Sequence, residues 1–315
     1  MLKEEILTAD AKAQYDANVK MLLANKEILC WILKETVEEF EDMQIPEIKE
    51  CIEPGIEIAS MAVHPNTPDK ITGMSTEDKS EKEKNTYFDI RFVAYAPKKQ
   101  ERIKLIINIE AQRKYQMNYP IVTRGIYYGA RMISAQRGTE FDKSNYQDIK
   151  KVYSIWLCMN CEENGIAKFS FSKQDIMGHM DVLKEDYDLI SVIIVRLTSE
   201  YDTSQMSAMI RILNILLSKA GIYSGQKKIK MLKDEGVHIS QEIEEEVIDM
   251  CNWSEGIADR ARAEGMEKGA ISSIRILLGF SMDKKQIQRS VQSEFELTEE
   301  QFEKVYKQAV EGNKS

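Results

Sequence analysis

The sequence predicts an α/β protein: a mixed central sheet flanked by helices, then an all-helical C-terminal region. Three patterns carry this. Residues 87–95 and 103–112 read as two neighbouring strands, the second with side chains that alternate between two faces. Residues 189–197 form an almost continuous Ile- and Val-rich run, which suits a strand buried on both faces. From Thr203 onward the apolar residues recur at helical spacing to the end of the chain.

Taken in order, residues 11–43 read as one helix, because Val19, Leu22, Leu23, Ile28, Ile32, Leu33, Val37 and Phe40 follow a period near 3.6 without a proline. Pro46 opens a short helix that reaches Cys51. Pro54 and Gly55 then turn the chain into an extended piece, 56–63, and 64–85 reads as a charged loop with two prolines. The strand pair follows, then a helix over 121–136 and strands over 151–159, 167–171 and 189–197. Further helices are predicted over 206–220, 225–235, 240–251, 254–278, 282–292 and 298–310, the last two introduced by Ser281 and by Thr298 with Gln301, which have capping character. This divides the chain into a domain over 1–200 and a helical region over 201–315.

The chain has 315 residues, 43% hydrophobic and 30% charged, the composition of a folded globular protein. Its apolar runs, such as Ile190–Val195, are too short to cross a bilayer or to act as a signal peptide, which predicts a cytoplasmic protein without a membrane partner. The five scattered cysteines do not suit a disulfide framework. Cys158 and Cys161 have the spacing of half a zinc site, but no second pair completes it, so they read as small residues closing a buried strand. The three histidines show no ligand spacing, and there is neither a glycine-rich phosphate loop nor a nucleophile elbow.

The net charge of −9 argues against coating of nucleic acid by bulk attraction. Charge is unevenly spread, however. Between Lys98 and Arg137 stand nine basic and two acidic residues, so the one strongly basic window includes Arg113 and Lys114 and surrounds Glu110. In 104–112, Lys104, Ile106, Asn108, Glu110 and Gln112 share one face. A turn near Lys99 and Gln100 places Asp89 across from Glu110. Two such carboxylates suit a hard cation, Mg²⁺ or Mn²⁺, which takes one or two carboxylates plus phosphate oxygens. On helix 121–136, Arg124, Tyr128 and Arg131 recur at spacings of four and three and offer two guanidinium groups and a phenol to a DNA backbone.

The stretches Tyr87-Phe-Asp-Ile-Arg-Phe92, Ile106-Ile-Asn-Ile-Glu-Ala-Gln112, Arg124-Gly-Ile-Tyr-Tyr128, Ser134-Ala-Gln136 and Tyr153-Ser-Ile-Trp-Leu157 resemble the PD-(D/E)XK nuclease superfamily, in its recombination-promoting nuclease or putative-transposase branch. This resemblance spans residues 33–197 and implies a restriction-endonuclease-like core. It also implies Asp89 and Glu110 as catalytic metal ligands, the Ala111 backbone carbonyl as a third, and a glutamate from the first helix, for which Glu38 is chosen over Glu35 and Glu39. Gln112 stands where the family carries a lysine, and an amide offers a dipole in place of a charge.

Two functions follow. One is a metal-dependent DNA endonuclease, linked to recombination or transposition, with Asp89, Glu110 and Gln112 as its catalytic residues. The other is a catalytically silent nuclease-fold module that binds DNA or a protein. Gly256, Ala261, Gly265 and Gly269 form a stripe of small residues that permits close helix approach, either in a homo-oligomer through the C-terminal helices or within the same chain.

Overall fold

A computed structural model describes residues 15–53, 57–58, 77–78, 86–87, 89–98, 101–112, 115, 118–198, 207–218 and 222–311. The helices are α1 (residues 15–23), α2 (Lys26–Thr36), α3 (Ile45–Cys51), α4 (Ile121–Ser134), α5 (Ala208–Leu217), α6 (Gly225–Asp234), α7 (Gln241–Gly279), α8 (Lys284–Phe295) and α9 (Glu299–Glu311). The strands are β1 (Glu57–Ile58), β2 (Glu77–Asp78), β3 (Thr86–Tyr87), β4 (Ile90–Lys98), β5 (Glu101–Gln112), β6 (Val152–Cys158), β7 (Gly165–Ser170) and β8 (Ile190–Arg196). Six strands form one mixed sheet in the order β1-β4-β5-β6-β8-β7, while β2 and β3 pair by themselves. β5, β6 and β8 run parallel; β1, β4 and β7 pair antiparallel with their neighbours.

The first α-helical stretch is two helices, where one was expected. Asn25 interrupts it: the side chain accepts the Glu27 N–H at 3.0 Å and caps α2. An asparagine cap satisfies an amide that would otherwise lack a partner at the helix start. α3 begins with a capping box, in which the Glu47 carboxylate accepts the Gln44 N–H at 2.7 Å.

Both sheet faces are covered. On one, Ile107, Ile109, Tyr153, Ile155, Leu157, Ile193 and Val195 pack with apolar residues of α1, α2, α3, α5, α6 and the start of α7. On the other, Ile106, Val152, Trp156, Val192 and Ile194 pack under Ile121, Tyr128 and Met132 of α4. Every residue of β6 is buried, as the parallel centre of such a sheet requires.

The sheet-bearing unit runs from Ala13 to Asn252. A boundary near residue 200 is therefore corrected: Met209, Ile212, Leu216, Ile229 and Val247 lie beyond it yet belong to the core of the sheet. α7 is also one helix of 39 residues, where two were expected on either side of 252–253.

The second unit comprises the chain from Trp253 onward. Its core gathers Ala270, Ile274, Ile287, Val291, Phe302, Val305 and Ala309. α8 is capped by Asp283 and not by Ser281, while Thr298 and Gln301 cap α9 as expected. Gly269 faces Phe295 of α8, since a Cβ there would lie 3.0 Å from its Cε1. That part of the small-residue stripe serves packing inside the chain. Among the described residues, no helix is long and apolar enough to cross a membrane.

Candidate active site

Antiparallel pairing of β4 and β5 joins Ile90 to Ile109 and continues to Lys98 opposite Glu101, so Asp89, one residue earlier, falls across from Glu110. This is the expected register. The pair is held reciprocally: the Asp89 N–H donates to Glu110 Oε1 at 3.0 Å, and the Ala111 N–H donates to Asp89 Oδ2 at 3.1 Å. The Ala111 amide nitrogen thus joins the carboxylate pair.

The remaining Asp89 oxygen, Oδ1, meets the Lys20 ammonium at 2.7 Å. Lys20 comes from α1, far away in sequence, and was not foreseen. The Glu110 side chain is 2% exposed, and its carboxyl is pushed up to about 8, first by burial and then by the charge of Asp89. The Asp89 N–H and the Arg124 guanidinium oppose that rise. Two residues before Glu110 on the same face, Asn108 is fully buried, and its side-chain amide also favours the ionised Glu110 carboxyl.

α4 approaches the sheet closely because Gly125 and Gly129 face it; a Cβ would lie 2.5 Å from Val192 Cγ1 at the first and 2.6 Å from Ile190 Cγ2 at the second. Arg124 is thereby laid over the rings of Tyr128 and Trp156, 5.1 and 5.0 Å from their centroids. Its two terminal nitrogens donate to Tyr119 Oη at 3.0 Å and Tyr128 Oη at 2.8 Å. Tyr128 is buried edge-on against Trp156, so its expected role as a direct DNA contact is corrected: it holds Arg124 in place. Arg131 is half-buried near the end of α4, and Tyr119 and Tyr127 are exposed. Arg113 and Lys114 lie outside the described residues.

Gln112 ends β5, half-buried and level with Cys158 and Arg196 of the adjoining strands. By alternation it shares the face of Glu110. Arg196 pairs with Glu163 at 2.8 Å and lies over the Tyr115 ring at 6.0 Å, a cation at the strand ends that sequence patterning did not single out.

Glu38 is corrected. It is paired with Lys168 at 2.8 Å and Lys184 at 2.6 Å, which hold its carboxyl down at about 2. Its neighbour Glu39 meets Lys151 and Tyr153 at the start of β6, whereas Glu110 is near the end of β5, which runs parallel to it. Glu35 accepts the Met209 N–H at 2.9 Å. All three glutamates are thus engaged elsewhere. The Cys158 thiol is pushed up to about 12 by burial, and Cys161 donates to the Cys158 carbonyl, which fits the structural role expected of the pair.

Among the described residues no three His, Cys, Asp or Glu side chains form a ligand cluster. A cation at this pair would take Asp89 and Glu110, with water and phosphate oxygens completing its shell, a division that Mg²⁺ accepts. The half-buried Asp89 beside the buried Glu110 fits such an ion, because its charge would relieve the cost of ionising Glu110. Comparisons with protein-family models, curated proteins and solved structures find no match.

Proposed function

We propose that this chain is a divalent-cation-dependent DNA endonuclease of the PD-(D/E)XK kind, acting in the cytoplasm. The observation that carries the proposal is the Asp89 and Glu110 pair, set face to face by strand register with Glu110 buried and reluctant to ionise. When bound, Mg²⁺ or Mn²⁺ supplies an activated water and offsets charge on the phosphodiester. Asp89 and Glu110 hold that ion. Gln112 offers an amide dipole to the water, and Arg124, oriented by two phenols, offers unused guanidinium N–H groups to phosphate. Free thiols at all five cysteines support a reducing compartment.

A second reading, a silent DNA-binding module, is favoured by the neutral Gln112 and by the prior engagement of both Asp89 oxygens. Plasmid nicking separates the two. The nuclease reading expects Mg²⁺- or Mn²⁺-dependent nicking that chelator, Asp89→Ala and Glu110→Ala each abolish. Absence of nicking with DNA retention unchanged in Asp89→Ala supports the module instead.

A further inference from the structure

Asp89 has no idle oxygen. Oδ2 accepts the Ala111 N–H, and Oδ1 is 2.7 Å from the Lys20 ammonium, with the two side chains 17% and 23% exposed. A cation shared with Glu110 takes an oxygen from Asp89; each oxygen keeps a second lone pair, but a divalent ion there crowds the partner already present, and the ammonium also repels it by charge. The Ala111 amide belongs to the backbone of β5, which is hydrogen-bonded into the sheet on both sides. Lys20 can yield far more easily: its neighbours Val19, Leu22 and Leu23 fix α1 in the core, but its ammonium rides on a flexible four-carbon stem.

We propose that Lys20 is the resident counter-ion of Asp89 and that a divalent cation binds by displacing it, an inference that rests on the cation-site reading above. An ammonium and a divalent ion cannot share contact distance with one carboxylate oxygen in a half-buried site without strong repulsion. The cation's affinity is therefore set by a competition built into the chain. The same competition selects for charge: a monovalent ion brings no more charge to Asp89 than the ammonium it replaces, whereas a divalent ion brings twice as much. Lys20 keeps the unloaded pair compensated and excludes Na⁺ and K⁺.

The test is an Mn²⁺ titration of the full chain by isothermal calorimetry, repeated in excess K⁺, for wild type, Lys20→Met, Lys20→Gln, Lys20→Arg and Asp89→Asn. Loss of the ammonium is expected to tighten Mn²⁺ binding about tenfold in both neutral variants and to make it sensitive to K⁺, while Lys20→Arg stays within about twofold of wild type. Two neutral variants guard against one that folds poorly. If wild type binds Mn²⁺ in an Asp89-dependent way and both neutral variants bind equally or more weakly, displacement is overturned and the cation site stands. If wild type does not bind, or Asp89→Asn binds as wild type does, the cation-site reading falls and displacement falls with it.

Discussion

Asp89 and Glu110 clasp each other through backbone as well as side chain: the Asp89 N–H donates to Glu110 Oε1 at 3.0 Å, while the Asp89 carboxylate accepts the N–H of Ala111 at 3.1 Å. Asp89 therefore closes the end of the β4–β5 ladder in addition to carrying charge. These two roles are separable. Asp89→Asn retains an oxygen for the Ala111 N–H and is expected to unfold in urea within about 1 kcal/mol of wild type. Asp89→Leu leaves that amide and Lys20 without an acceptor and is expected to cost about 1–3 kcal/mol. Equal stability of the leucine variant would show that the clasp contributes nothing.

Glu110 makes the cation-free protein sensitive to pH. Its carboxyl ordinarily titrates near 4.5 and is pushed up to about 8 in the fold. Between those values the folded state keeps a proton that the unfolded chain has released, so stability is full below about 4.5 and is lost as pH rises through about 8. The loss is up to about 1.4 kcal/mol per pH unit. Thermal melts in chelator at pH 5.5, 6.5 and 7.5 should show Glu110→Gln gaining on wild type at each step. A constant difference across the series would contradict the assigned burial and charge.

Helix packing at the site depends on missing methyl groups. Gly129→Ala drives a Cβ to 2.6 Å from Ile190 Cγ2, and overpacking of that sort costs about 1–3 kcal/mol, more than the gain in helix propensity. Gly265→Ala in α7 meets nothing within 4 Å and should stabilise its own unit by about 0.5–1 kcal/mol. Denaturation midpoints of the two variants should therefore move in opposite directions.

Arg124 is expected to act on DNA through its charge. Arg124→Ala should weaken DNA binding about uniformly across sequences and lower the slope of log affinity against log salt by about one. Tyr128→Phe keeps the charge but removes the 2.8 Å hydrogen bond that orients it, so affinity should fall while the slope stays near wild type. Equal slopes in wild type and Arg124→Ala would remove this residue from the DNA face.

Glu38 serves as the negative control. Its side chain is 43% exposed between two lysines, so Glu38→Gln should cost no more than about 1 kcal/mol and leave cleavage unchanged. Its carboxyl is held down at about 2, which places its stabilising contribution above the ordinary carboxylate range and its loss in acid as pH falls through about 2. Loss of nicking in Glu38→Gln would restore it to the site.

Much of this arrangement was legible because strands have a period of two. Alternation in β5 put Glu110 and Gln112 on one face, and a turn at 99–100 sufficed to set the parity that brings Asp89 opposite Glu110. The buried runs of β6 and β8 were equally plain. Lys20 carried no signal, since nothing local ties a lysine on a core helix to a strand end distant in sequence. The inward turn of Tyr128 was recoverable: Ile121, Gly125, Tyr128 and Met132, spaced four, three and four, form the buried stripe of α4, and reading 124, 128 and 131 as a stripe put the phenol on the wrong side. The break at Asn25 went unseen because a single polar residue barely disturbs the hydrophobic period, although its side chain caps the next helix. α7 runs on past 252 because no proline stops its backbone hydrogen bonds.

Electron paramagnetic resonance of Mn²⁺ with wild type, Asp89→Asn and Glu110→Gln tests the shared cation most directly. One tightly held ion per wild-type chain, lost in each single variant, is the expected result. Undiminished occupancy in either variant, or none in wild type, would contradict convergence of the two carboxylates on a single ion.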